Sequence, residues 1–89
     1  MPQQLHIVAA GNTLAPALAE LIKLGFSVSG VVASASGELF YRAKRAGLVL
    51  DASDTLELLG LATLAERRGA DWAPSDSEVE ALLDLDNSV

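Results

Sequence analysis

One histidine, no cysteine and a scatter of carboxylates make up the reactive side chains of this 89-residue chain. His6 lies in the aliphatic run Leu5–Ala10, with no second histidine and no thiolate to share a metal ion. A zinc set cannot be assembled from such donors without ligands gathered from elsewhere. Nucleophilic catalysis fares no better. Gly25-Phe26-Ser27-Val28-Ser29 approaches a Gly-x-Ser-x-Gly elbow, but its second glycine falls one residue late, at Gly30. A triad would also need His6 brought to an activated serine. His6 therefore reads as an ordinary strand residue. No residue is assigned a catalytic role, no metal or cofactor is expected, and the chain is expected not to be an enzyme.

Binding chemistry has more to work with. Gly11-Asn12-Thr13 follows an apolar run and precedes a helical pattern, and it offers an N-cap. Free N–H groups at a helix start attract anions, and a glycine lets a ligand approach the backbone. Gly11, Asn12 and Thr13 are thus the candidate site for an anionic or nucleotide ligand. A second candidate is the acidic end. Residues 1–70 hold all six basic residues and six acids, so the net charge of −6 resides in residues 71–89. Glu78, Glu80 and Asp84 could face a basic protein, as the carboxylates of immunity proteins, antitoxins and nucleic-acid mimics do, or they could simply face water. Arg42, Lys44 and Arg45, with Arg67-Arg68, are too small a basic set for phosphate neutralisation, so no direct nucleic-acid partner is expected.

The elements that must position these groups centre on residues 48–72. Leu48–Ala52 suits a short strand. Asp54 with Glu57 three residues on is a capping-box-like helix start, and Gly69 after Arg67-Arg68 is a stop with cations on the negative end of the dipole. Leu56, Leu58, Leu59, Leu61 and Leu64 point around most of that helix, so it needs cover on more than one side. Gly60 in its interior costs about 1 kcal/mol relative to Ala unless close packing compensates. Leu56, Gly60 and Leu64 are therefore candidate interface positions, and a second copy of the chain is the simplest partner. Trp72 beside Pro74 reads either as a lid on the edge of the core or as an interface anchor.

Upstream, Leu14 to about Leu24 is a helix closed by Gly25, and Phe26–Val32 alternates as a half-buried strand does. Residues 38–46 decide the fold. As a strand, Leu39, Tyr41 and Ala43 share one face while Phe40, Arg42 and Lys44 share the other, and a turn at Arg45-Ala46-Gly47 completes a three-stranded antiparallel meander. The aromatic Leu-Phe-Tyr run favours this. Ala43-Lys44-Arg45-Ala46 are good helix formers and support the alternative, a βαβαβα chain. In that alternative the opening resembles the first half of a Rossmann-type domain, with Gly25-Phe26-Ser27-Val28 similar to the usual entry to its second strand. Such a resemblance would imply a nucleotide at Gly11–Thr13, yet neither Gly-x-Gly-x-x-Gly nor Gly-x-x-x-x-Gly-Lys-[Ser/Thr] is present.

Ser75 with Glu78 begins a last helix, on which Val79, Leu82 and Leu83 form one apolar stripe. The expected fold is thus a single α+β domain over residues 1–86: a meander, with Leu5–Ala10 as a candidate extra strand, packed by the leucine-rich helix and two flanking helices. Residues 87–89 are expected to fray. Hydrophobic residues are 51% and aromatics 4%, so the core must be Leu, Val and Ala, and self-association is favoured. The first 19 residues lack charge, but a secretory signal needs a basic start and a longer apolar run, and Gln3, Gln4, Asn12 and Pro16 sit badly in lipid. The absence of cysteine fits a cytosolic protein. The functional expectation is a non-enzymatic protein-binding or regulatory module, such as an adaptor or immunity-like inhibitor. The alternative is a small ligand-binding domain.

Overall fold

The computed structural model describes residues 4–88, so Gln3 and Val89, the last residue of the tail expected to fray, lie outside the described residues. In order the elements are α1 (Leu14–Lys23), β1 (Ser27–Val32), β2 (Leu39–Arg45), β3 (Leu48–Ala52), α2 (Thr55–Arg68) and α3 (Asp76–Asn87), with short 3-10 turns at Gly11–Thr13 and Gly69–Asp71. The strands form one antiparallel sheet in the order β1-β2-β3. Residues 39–45 are a strand, and the meander replaces the βαβαβα alternative.

Local chemistry explains most boundaries. Helix α1 ends in a Schellman motif: Phe26 N–H bonds the Leu21 carbonyl at 3.1 Å, and Gly25 N–H bonds that of Ile22 at 3.0 Å. That closure needs a left-handed residue, which Gly25 supplies at φ 92°. It also drives Phe26 and Leu21 into the same core cluster. Between β2 and β3, Arg45 pairs with Leu48 across the two residues Ala46 and Gly47, both at positive φ. This is the primed hairpin turn whose twist matches its strands. Asp54 caps α2 by accepting from Glu57 N–H at 2.8 Å, while the Glu57 carboxylate reaches back to Ser53 N–H at 2.9 Å.

Register then sorts the faces. Val28, Ala43 and Leu50 lie side by side across the three strands and turn toward the helices, with Tyr41, Leu48 and Ala52 on the same face. Leu21 from α1 and Leu58 and Ala62 from α2 meet them, and Leu21 and Leu58 are fully buried. Thr55 Oγ1 donates to the Leu14 carbonyl at 2.7 Å, tying the two helices together. The other face carries Phe40, Arg42 and Lys44, and no helix among the described residues packs over it. There Arg42 grips Asp51 through two hydrogen bonds of 2.7 and 3.0 Å and sits over the Phe40 ring. The pair holds the Asp51 carboxyl below its usual range.

Two expectations need correction. Leu5–Ala10 is not a strand: residues 4–9 are irregular and pair with neither sheet edge, and Leu5 is 83% exposed. An apolar run becomes a strand only when an edge receives it, and this one leads directly into the 3-10 turn without crossing one. Thr13 does precede α1, but its side chain does not cap the helix. Its hydroxyl donates back to the Ala10 carbonyl at 2.7 Å, which closes the 3-10 turn instead.

Candidate functional site

The largest described concavity is a groove of about 590 Å³ along the outer edge of β3. Leu48, Val49, Leu50 and Asp51 form one wall, Leu61, Leu64 and Ala65 of α2 the other, and Gly69, Ala70 and Trp72 close one end. It exists because α2 is longer than the strand it crosses. Fourteen helical residues span about 21 Å, whereas the five of β3 span about 17 Å. The last turn of α2 thus overhangs the sheet, and the chain leaves it past Trp72. Trp72 is 61% exposed, so it flanks the groove and does not cover the core.

Of the interface positions read from sequence, Leu64 and Trp72 come together here. Gly60 and Leu64 share a second, shallower depression with Asp51, Ala52, Glu57 and Leu61. A Cβ at Gly60 would meet nothing within 4 Å, so no close packing within the chain compensates that glycine. Leu56 is exposed and lines none of these concavities. The groove residues that sequence reasoning missed are Leu48, Val49, Leu50, Asp51, Leu61, Ala65, Gly69 and Ala70, which give no sign of their position until β3 is placed beside α2.

Glu78 is occupied structurally. Its carboxylate accepts from Arg68 at 2.7 Å and from Ser75 N–H at 2.8 Å, while Ser75 Oγ accepts from Glu78 N–H, a complete capping box. The Arg68 bond, then the Ser75 N–H, holds this carboxyl at about 2. Glu80 flanks the apolar stripe one turn before Leu83 and Asp84 lies on the far side of α3, and neither forms an ion pair among the described residues. Every described residue of α3 is exposed, with Leu82 and Leu83 more than half so. The basic cluster is divided. Arg42 is paired and Lys44 stands on the open sheet face, whereas Arg45 stacks on Phe26 at 4.4 Å and donates to the Leu24 carbonyl at 2.6 Å.

Gly11, Asn12 and Thr13 lie together in the 3-10 turn before α1, and Gly11 has open space around it. The turn lines none of the described concavities. A small pocket formed by Leu14, Ala15, Leu18, Tyr41, Asp54 and Thr55 lies nearby but is walled by the next turn of helix. His6 is exposed in the irregular arm. Among the described residues no three His, Asp or Glu side chains gather as a metal set, and no helix is long and apolar enough to cross a membrane. Comparisons with protein-family models, with curated proteins and with solved structures found no match.

Proposed function

We propose that this chain is a non-enzymatic cytosolic module that binds protein, an adaptor or regulatory subunit, and that it engages its partners through the β3–α2 groove and helix α3. One observation carries the reading. The chain exposes 7041 Å², whereas a compact 9.2 kDa domain exposes about 4,900 Å². Its radius of gyration is 15.8 Å, against about 12 Å for a compact domain of this length. The surplus is about 2,100 Å² on the same scaling, and every described residue of α3 and of residues 4–12 is exposed. Leu64 and Trp72 are the apolar anchors in this reading. Glu80 and Asp84 present the acidic rim that would steer a basic partner.

Affinity capture from the native host, repeated with Leu64→Asp and with Trp72→Ala, tests it. One protein retained by the natural chain and lost by both variants is the expected result. Thermal stabilisation by nucleotides or phosphorylated metabolites, abolished by changes at Gly11–Thr13, would refute it in favour of the ligand-binding alternative.

A further inference from the structure

Helix α3 and the β3–α2 groove are two apolar surfaces of matching size. The twelve residues of α3 span about 18 Å, close to the length of β3. Val79, Leu82 and Leu83 recur at helical spacing on one face, so that face would lay a row of aliphatic side chains into a trough. The trough is lined by Leu48, Leu50, Leu61, Leu64 and Ala65. An uncovered sheet edge is a liability that a helix laid across it removes, and among the described residues no strand pairs with the outer edge of β3.

Charge agrees with size. Asp76 and Asp86 border the stripe on a helix without a basic residue. Arg67, on the last turn of α2, forms no ion pair among the described residues, and Asp51 of the groove wall is neutralised by Arg42.

The helix does not serve its own groove. Its first turn is fixed beside the end of α2 by the Arg68–Glu78 bond and the Ser75 cap. Gly69–Ser75 join the two helices, beginning with the 3-10 turn, so folding back would require reversing the chain there and breaking that bond. A two-fold pair avoids both costs, because each α3 reaches the other copy's groove while keeping its own Arg68–Glu78 bond. Every described residue of α3 is exposed within the single chain and is available to be buried this way.

We infer that the protein is a homodimer in which α3 of each copy lies in the β3–α2 groove of the other. This rests on the protein-binding reading and names a second copy of this chain as the occupant of the groove. Asp84, on the far side of α3, stays exposed in such a dimer, and Glu80 stands at the rim of the docked face.

Sedimentation of the intact chain at about 50 μM should give a dimer. Leu82→Asp combined with Leu83→Asp alters only exposed positions. It should leave the circular dichroism of the core unchanged and raise the dissociation constant at least about thirtyfold, the range of interface hot spots. Because the chain has no cysteine, a Leu64→Cys chain mixed with a Leu82→Cys chain should form a disulfide-linked heterodimer under mild oxidation. A monomer at every concentration would overturn the inference. So would a dimer indifferent to the Leu82 and Leu83 changes, or a cross-link formed only within one chain carrying both cysteines. Linkage of Leu64→Cys to an Ile7→Cys chain in place of Leu82→Cys would seat the N-terminal arm in the groove and overturn it as well. A monomer that still retains a different protein through Leu64 and Trp72 would remove the dimer and leave the protein-binding reading intact. A monomer that retains nothing would remove both.

Discussion

Gly60→Ala should make this protein more stable. Gly60 is the sixth of fourteen residues in α2, its φ is not positive, and an added Cβ would meet no atom within 4 Å. Nothing in the chain therefore requires glycine. The substitution removes the flexibility that Gly contributes to the unfolded chain, worth about 0.8–1.0 kcal/mol in a helix interior. The new methyl enters an open depression, so no steric term opposes that gain. For a domain of this size 1 kcal/mol corresponds to about 4–8 °C in Tm. Urea denaturation followed at 222 nm, together with a calorimetric scan, would measure both quantities at fixed protein concentration. Gly60 is not among the residues lining the β3–α2 groove, so the gain should survive an exchange of α3. An unchanged or lowered midpoint would refute the reasoning, since it would mean that another surface presses on the Gly60 backbone in the native protein.

Leu58→Ala should cost about 2–5 kcal/mol, the range for emptying a fully buried leucine site, and much of the native far-ultraviolet signal should vanish at low urea. Ala46 sits at φ 45° in the hairpin turn, so Ala46→Asn should raise stability by about 1 kcal/mol, relief of the left-handed strain measured as a shift in urea midpoint. The Glu78 carboxyl is held at about 2. A depressed value makes its stabilisation of α3 complete above the ordinary glutamate range, and that stabilisation is lost as pH falls through about 2. Nuclear magnetic resonance should place the Glu78 midpoint there, and Arg68→Gln should move it upward; a midpoint indifferent to that change would refute the assignment.

Much of this architecture is legible in the sequence where one physical rule acts alone. The alternation of Leu39, Tyr41 and Ala43 against Phe40, Arg42 and Lys44 places β2 correctly, despite the helix-forming Ala43–Ala46, because burying one face of a sheet outweighs a few tenths of a kcal/mol of propensity. Gly25 as the stop of α1, Asp54 as the cap of α2 and the Ser75–Glu78 box follow from backbone groups only a few residues apart. Legibility fails where distant parts must meet. Leu5–Ala10 has strand composition, but composition does not supply an edge. Thr13 could bond forward or backward, and the 3-10 turn decides for Ala10. Leu64 and Trp72 can be singled out by type, whereas Leu48, Leu50 and Ala70 become groove residues only because α2 outruns β3.

The neighbour-to-neighbour order of the strands also sets a timetable. Paired residues in the sheet lie between three and seventeen positions apart, so each hairpin closes a short loop and no strand waits for a distant one. Contacts this local keep the loop-closure cost of the sheet low and speed its formation. The longest tie among the side-chain hydrogen bonds, from Thr55 to Leu14 across 41 positions, is in place once α2 has formed. The core cluster is drawn from residues up to Ala62, and α3 adds no buried residue to it. In the dimer inferred above, α3 would therefore dock on a completed surface, in a separate bimolecular step whose rate rises with concentration while the rate of folding does not.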